Sequence, residues 1–429
     1  MNMLRSQPFP RRYSGESIAQ WAPEIPLIRT APHPDCTVCV IVPVRNEAAL
    51  LTQTLQALAS QENLDGTPLA KACYEVIVLA NNCSDRSAEI GRQFAAENPS
   101  FALHIVEMTL PAEIANVGLV RRLMMNEACD RLYSLDRPRG IIASTDGDSQ
   151  ASSTWIAAIL HEMDQGADAV GGRIMTQPAD RTAMNDYARA CHLREVGYRY
   201  LIAELESYLD PDPYDGLPRH YQHYGASLAV TAQMYKAVGG MPPIPISEDV
   251  AFYRALLKAN ARFRHSPHVK VLTSARPRGR AAQGLADQIL KWTEMGKTKL
   301  PFLVESAGAI STALKARCQL RGLWSQYEQG QEVAWREVAA VARMLCISGQ
   351  WLVQEIAQAS TFWSLFEQIE QRQQQEGIWQ LHWPLTSIEQ SIEELRQLVA
   401  LHRRMPKSTV PAIANDLESF KPIAILFDR

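Results

Sequence analysis

The chain has 429 residues, and its 43 lysines and arginines nearly balance its 46 aspartates and glutamates, for a net charge of −3. This balance argues against a general nucleic-acid binder, which usually carries a strong basic excess. No apolar run approaches the ~20 residues that span a bilayer, and the proline-rich N-terminus lacks a signal-peptide core. Eight scattered cysteines do not suggest a disulfide framework, so we expect a cytoplasmic enzyme with reduced thiols.

The first two-fifths of the chain alternate between strand-like and helix-like segments. Six prolines within residues 1–35 predict an extended arm. Short β-branched or apolar runs then alternate with stretches of helical periodicity, predicting strands at 37–43, 74–79, 102–107, 140–145 and 167–170, and helices at 48–58, 85–94, 117–132 and 155–165. This alternation predicts an α/β fold whose mostly parallel sheet carries helices on both faces.

The final third has a different character. Few strand-like runs follow residue 287, and seven of the nine tryptophans lie beyond Leu290. Helical apolar spacing predicts a C-terminal α-helical region. The predicted organisation is therefore an arm (1–35), a sheet-based domain (36–290, with halves 36–150 and 151–290) and a helical region (291–429). That region either serves packing and homodimerisation or covers the site as a lid or acceptor-binding domain.

Acidic residues follow several of the predicted strands. Glu47 follows the first strand, Asp85 the second, and Asp146-Gly-Asp148 the fourth. Ligands of open α/β sheets bind outside the carboxyl ends of the strands. Clustered carboxylates repel one another unless positive charge lies between them, and Mg²⁺ typically takes one or two carboxylates together with substrate phosphates. The pattern indicates a divalent-metal site, although a polar turn that caps the next helix would also contain these residues.

A second acidic motif, Ser247-Glu248-Asp249, lies directly before an apolar helical stretch and after a Pro/Gly-rich loop. Such carboxylates can simply complement the helix dipole. They can also bring a general base to an acceptor hydroxyl, an effect that typically contributes ~10²–10⁴-fold to the rate.

Three arginines, Arg276, Arg278 and Arg280, occur within five residues after a strand-like run. Guanidinium groups match phosphate oxygens in bidentate geometry. The loop therefore either binds a diphosphate group or is a solvated basic segment.

Four of these segments, in this order, resemble the motifs of family 2 glycosyltransferases with the GT-A (Rossmann-like) fold. They are Val40-Ile-Val-Pro-Val-Arg-Asn-Glu47, Val76-Ile-Val-Leu-Ala-Asn-Asn-Cys-Ser-Asp85, Asp146-Gly-Asp148, and Gly239-Gly with Glu248-Asp249. The resemblance covers about residues 37–292. It implies transfer of a sugar from a nucleotide-diphosphate donor to an acceptor hydroxyl, with Mg²⁺ or Mn²⁺ and generally with inversion of the anomeric centre.

The resemblance also implies roles for individual residues. Pro43, Glu47 and Asp85 correspond to nucleoside-pocket residues, Asp146 to a ribose- and metal-proximal aspartate, and Asp148 to the principal metal ligand. Asp249 corresponds to the catalytic base and Glu248 to its acceptor-side neighbour.

Two positions leave alternatives open. Ala80 stands where the family often has an aspartate that contacts the nucleobase. Either Asn81 or Asn82 makes that contact here, or the donor carries a different nucleobase. His268 is a weak candidate third metal ligand, as in some retaining GT-A enzymes. A retaining enzyme that makes a small glycoside, or a catalytically silent nucleotide-sugar-binding protein, therefore stays as an alternative.

Overall fold

The computed structural model describes residues 26–276, 279, 284–298 and 300–404. Arg278 and Arg280, together with residues 1–25 of the predicted arm and 405–429 of the predicted tail, lie outside the described residues. The strands are β1 (Val38–Val44), β2 (Tyr74–Asn81), β3 (Leu103–Met108), β4 (Ile141–Thr145), β5 (Ser149–Ala151), β6 (Ala169–Thr176), β7 (Ser227–Thr231), β8 (Phe263–Thr273), β9 (Leu303–Val304) and β10 (Thr386–Ser387).

The helices lie between the strands and then dominate the C-terminal third. They are α1 (Leu51–Ala59), α2 (Ser87–Glu97), α3 (Val117–Ser134), α4 (Trp155–Asp164), α5 (Pro178–Ala183), α6 (Asp186–Leu209), α7 (Ala232–Ala237), α8 (Glu248–Lys258), α9 (Leu285–Thr298), α10 (Ala307–Glu328), α11 (Trp335–Met344), α12 (Gly349–Gln358), α13 (Phe362–Glu376), α14 (Ile378–His382) and α15 (Ile388–Arg404).

Eight strands form one sheet in the order β3-β2-β1-β4-β7-β6-β8-β5. The pairs β3–β2, β2–β1, β1–β4 and β6–β8 are parallel. Strand β7 runs antiparallel to β4 and β6, and β5 runs antiparallel to β8. The predicted fold class, a mostly parallel sheet with helices around it and a helical C-terminal region, is confirmed.

The central strand shows why both faces of the sheet are covered. Val38, Val40 and Val42 of β1 belong to the hydrophobic core packed by α1 and α4. Cys39 and Ile41, the alternate residues, belong to the opposite core, packed by α3 and α8. Side chains alternate across a strand, so this apolar run is buried from both sides, as expected for a parallel strand.

The C-terminal helices have a core of their own, formed by α10 to α13. A second cluster joins α10 and α15 to the long helix α6, and a third joins α9 to the same helix. The 24-residue helix α6, which was not predicted, thus connects the sheet-based unit to the tail. The predicted boundary at residue 290 falls inside α9.

The described part of the predicted arm lies along α3. Leu27 N donates to Glu127 at 2.8 Å, and Arg131 donates to the carbonyl oxygen of Thr30 at 2.7 Å. No helix within the described residues is long and apolar enough to cross a membrane.

Candidate active site

The parallel strands β1, β2 and β4 end at the same edge of the sheet, so the segments that follow them meet there. Glu47 comes from the segment after β1, while Asp146 and Asp148 come from the turn after β4. Because Gly147 has no side chain, this turn can pass close to β1; a Cβ at this position would lie only 2.9 Å from Val44 Cγ2. The Asp-Gly-Asp sequence therefore places two carboxylates beside the end of the central strand.

Arg276, which follows β8, lies among these carboxylates. Its guanidinium donates two hydrogen bonds to Glu47, one of them at 2.6 Å, and lies 3.1 Å from Asp148 Oδ2. Burial, with the charges of Asp146 and Glu47, raises the pKa of Asp148 to about 7 even though Arg276 opposes the shift. The site therefore holds more negative charge than its arginine offsets.

The chemistry of this donor set suits a divalent cation, but Arg276 lies among the carboxylates, and Glu47, Asp146 and Asp148 do not all bring an oxygen within 4.8 Å of one another among the described residues. Carboxylate oxygens are the ligands that Mg²⁺ and Mn²⁺ prefer. A cation among Glu47, Asp146 and Asp148 would relieve the mutual repulsion that raises the pKa of Asp148.

Arg121, on α3, joins this edge of the sheet to α8. Its guanidinium donates to Asp146 at 2.5 Å and also to Glu248. It packs so closely on Gly225 that a Cβ there would lie 2.2 Å from Arg121 Cζ. Burial would lower the pKa of Arg121, but the charges of Asp146 and Glu248 outweigh it, raise the pKa and keep the side chain charged.

Sequence reasoning missed Arg121. The available signal was its position between buried apolar residues, directly after Leu119 and Val120 and one turn before Met124 and Met125. A charged residue at such a position requires a partner inside the protein.

The Glu248-Asp249 motif forms the first turn of α8, directly after Ser247, which has a left-handed φ of 57°. Asp249 Oδ2 accepts a hydrogen bond from the Gly225 amide at 2.9 Å, and Oδ1 accepts from the Val250 amide at 2.8 Å. Burial and the neighbouring Asp249 raise the pKa of Glu248 to about 7, against the effect of Arg121. Arg121 thus connects the motif to the Asp-Gly-Asp turn.

Asp85 is held by the protein's own hydrogen-bond donors. Its Oδ2 accepts from the Ala48 amide at 3.0 Å, and its Oδ1 accepts from the amide and hydroxyl of Ser87. It therefore connects the segment after β1 to the start of α2.

Two further predicted nucleoside-pocket residues lie at the ends of these strands. Asn81, buried at the end of β2, donates to Asn82 Oδ1 at 2.6 Å. Pro43 is half-buried near the end of β1, and Ala80 is buried.

His268 lies away from the carboxylates, so the structure does not support it as a third ligand. It occupies the irregular part of β8, five residues before the strand reaches Thr273. Its charged neighbours are Glu162 and Lys270, and burial lowers its pKa. A histidine metal ligand would have been evidence for a retaining enzyme, and the position of His268 does not supply it.

Another group of potential metal ligands lies at the opposite end of β1. Among the described residues, Cys36, Cys39 and Glu75 have ligand atoms within 4.8 Å of one another. Arg131 donates to both oxygens of Glu75, at 2.7 and 2.6 Å. The hydrogen bond with Cys36 and burial raise the pKa of the Cys39 thiol well above its usual value. A protonated thiol and an arginine-paired carboxylate indicate a structural cluster.

Comparisons with known proteins find one relative that is similar in sequence over part of the chain, and solved structures that are only distantly similar. No protein-family model matches the chain. The chain is 28% identical over 153 residues to glycosyltransferase AglE of Haloferax volcanii, a match that covers 35% of this chain and 43% of the relative.

Two solved structures are similar over much of the chain. One is the mannosyltransferase PcManGT from Pyrobaculum calidifontis in complex with GDP-Man and Mn²⁺, at 15% identity and a TM-score of 0.39, covering 90% of this chain and 92% of that one. The other is S. aureus TarS 1–349 in complex with UDP-GlcNAc, at 14% identity and a TM-score of 0.41, covering 79% and 92%. At these scores the likeness does not identify a function.

Proposed function

We propose that the chain is a family 2-like glycosyltransferase of the GT-A fold, which transfers a sugar from a nucleotide-diphosphate donor to an acceptor hydroxyl with inversion. The observation that carries the proposal is the connection, through buried Arg121, between the Asp-Gly-Asp turn and the Glu248-Asp249 motif. These contacts support the assignment of the two acidic motifs that the reaction needs to one site. The similarity to glycosyltransferase AglE supports the proposal.

In this proposal the donor lies at the carboxyl ends of the strands. Asp148, with Asp146, would hold Mg²⁺ or Mn²⁺, which when bound offsets charge on the diphosphate. Pro43, Asn81 and Asp85 lie beside the nucleoside, and Arg276 contacts phosphate oxygens; the same role is proposed for Arg278 and Arg280 from the sequence alone. Because Arg276 pairs with Glu47 and Asp148, donor binding would exchange these contacts for phosphate contacts.

Asp249 acts as the general base. The acceptor oxygen forms a bond to the anomeric carbon while the bond from that carbon to the diphosphate oxygen breaks. The acceptor proton passes to Asp249, and the nucleoside diphosphate leaves with the bonding electrons. Displacement from the opposite face inverts the anomeric centre. Arg121 and the Gly225 amide hold the motif in place.

The test compares Asp148→Asn and Asp249→Asn with a control, Asp164→Asn, at an exposed position on α4. Nucleotide sugars are screened for binding and hydrolysis with Mn²⁺ and with EDTA. We expect Asp148→Asn to lower the metal-dependent rate by ~10²–10³-fold. Asp249→Asn should lower transfer by ~10²–10⁴-fold while donor binding persists.

Three results would count against the proposal. If Asp148→Asn kept the metal-dependent rate of the wild type, Asp148 could not be the metal ligand. Donor binding without hydrolysis or transfer to any acceptor would favour a catalytically silent protein. If NMR showed that the product keeps the anomeric configuration of the donor, the enzyme would be retaining and not inverting.

A further inference from the structure

A cavity lies on the tail side of the Glu248-Asp249 motif, between α6, α8, α10 and α13. Its lining includes Tyr224 and Val250, and the adjacent Gly225 and Val250 amides hold the Asp249 carboxylate. Burial and the charge of Asp249, against that of Arg199, raise the pKa of Tyr224 to about 12. Asp249 itself is not part of the lining, but its carboxylate is held by backbone amides in or next to the wall of this cavity.

The cavity is large enough for a small organic molecule. Its volume is about 160 Å³, roughly ten times the ~10–15 Å³ that one water molecule needs. The sheet-based unit supplies one wall, and the helical tail supplies Trp363 and Phe366.

Aromatic rings form much of the lining. His223 stacks on Tyr253 with ring centroids 3.9 Å apart and an interplanar angle of 11°. Small-molecule sites typically combine aromatic walls of this kind with a few placed polar groups.

The charged side chains around the cavity favour an anion. The lining holds three carboxylates and five cationic side chains, of which Arg219, Arg317 and Lys258 pair closely with carboxylates, whereas Arg199 and Arg254 do not. Two of these arginines have only loose ion pairs, with Arg254 3.7 Å from Glu370 and Arg199 3.6 Å from Glu195. These distances exceed a hydrogen bond, so both guanidiniums can still donate to a ligand.

Two buried polar atoms in the lining lack a hydrogen-bond partner among the described residues. They are Nε of Arg219, whose side chain is 7% exposed, and Nδ1 of His223. Burial lowers the pKa of His223 well below its usual value, with His265 as the next cause. Its neutral ring offers either a donor or an acceptor at Nδ1. Unpartnered buried groups of this kind cost free energy unless a ligand or water satisfies them.

We propose that this cavity binds the acceptor, and that the acceptor is a small hydroxylated molecule with a carboxylate or phosphate group. The inference rests on the proposed function. The anionic group pairs with the arginines, the aromatic rings cover its carbon skeleton, and a hydroxyl faces Asp249. The helical tail then has a substrate-binding role, because it completes the pocket.

The experiment measures, by calorimetry on the full chain without donor, the affinity of matched anionic and neutral probes. The pairs are glycerol 3-phosphate with glycerol and glucuronate with glucose, so that phosphate and carboxylate are tested separately. We expect at least one anion to bind about tenfold or more tightly than its neutral partner. Arg254→Gln should weaken that binding about tenfold. Phe366→Leu should also weaken it, because Phe366 belongs to the part of the lining that the helical tail supplies. The control, Arg336→Gln, changes an exposed arginine of α11 and should leave it unchanged.

Three results would overturn the inference: no probe binds, anionic and neutral probes bind equally, or Arg336→Gln weakens binding as much as Arg254→Gln. Nucleotide-sugar binding with Mn²⁺ is measured in parallel on the same variants. Donor binding that is normal in Arg254→Gln while anion binding is lost separates the two sites. A wild-type chain that binds an anion but no nucleotide sugar would contradict the proposed function instead.

Discussion

Two clusters of charged side chains in this molecule are both buried, yet their pKa values shift in opposite directions. The first is the carboxylate cluster at the carboxyl ends of the strands: Glu47, Asp146, Asp148 and Glu248 with Arg121 and Arg276. The second is the ion network between α6, α10 and β8: Glu206, Asp210, Asp215, Arg219, Arg264, His265, Arg317 and Arg321.

The balance of charge accounts for the difference. In the carboxylate cluster four acids share two arginines, and the pKa of Asp148 and of Glu248 rises to about 7. In the ion network each acid pairs with two or more basic side chains, and Arg264 also pairs with Glu162, so the charges are met within the protein. Burial alone would raise the pKa of Asp215, but His265 and Arg219 outweigh burial and hold the pKa well below its usual range. A buried cluster with an unmet charge can bind a ligand of opposite sign, whereas a balanced one serves the fold.

The largest expected effect comes from breaking the balanced network. Arg317→Met leaves Asp210 and Glu206 without the guanidinium that hydrogen-bonds both. Removing one partner of a buried ion pair costs about 3–5 kcal/mol, so the free energy of unfolding in urea should fall by that amount. Arg336→Met, at an exposed position on α11, is the matched control. A loss below about 1 kcal/mol would show that the network does not stabilise the fold.

The next effect concerns the unbalanced cluster. We expect Mn²⁺ to stabilise the wild-type chain against unfolding, by about 2.7 kcal/mol at 100 times its Kd, because it binds the folded state. Asp148→Asn should lose this gain, while Asp164→Asn keeps it; thermal unfolding with and without Mn²⁺ measures both. An equal gain in Asp148→Asn would place the cation elsewhere.

The smallest effect is a pH dependence that should separate the two clusters. Glu248 has a folded-state pKa of about 7 against an ordinary value of 4.5, so the folded state binds more protons between these values. Stability must then fall as pH rises from about 5.5 to 7.5 in EDTA, by roughly 2 kcal/mol for this group. Glu248→Gln should reduce that slope in urea titrations.

The ion network supplies the contrast. Because the pKa of Asp215 is lowered, its contribution is fully present above its unfolded value of about 3.9 and is lost only in stronger acid. The Asp215 carboxyl therefore adds nothing to the slope between pH 5.5 and 7.5, and its protonation should destabilise the wild-type chain only in urea titrations below about pH 4. A slope that is the same in Glu248→Gln and in the wild type would contradict the assignment of this titration to Glu248.

The sequence by itself predicted what depends on neighbours along the chain. Alternating β-branched runs and helical spacing predicted β1 to β4 and α1 to α4 to within a few residues, because side-chain periodicity reflects which faces are buried. The short strand β5 was missed, and only the beginning of β6 was predicted. The Asp-Gly-Asp turn was predicted at the end of β4, since a short polar segment after a buried strand must emerge at the sheet edge. Helical spacing likewise predicted the helical C-terminal region.

Only the tertiary structure decided which of these segments meet. Arg121 and Glu248 are 127 residues apart in sequence, and Arg276 and Glu47 are 229 apart. No local pattern encodes such contacts, because they depend on the strand order and on how α3 and α8 pack against the sheet. The cavity between α6, α8, α10 and α13 could not be predicted for the same reason, because its lining combines residues from Arg199 to Glu370. Local periodicity fixes the elements, and long-range packing fixes the site.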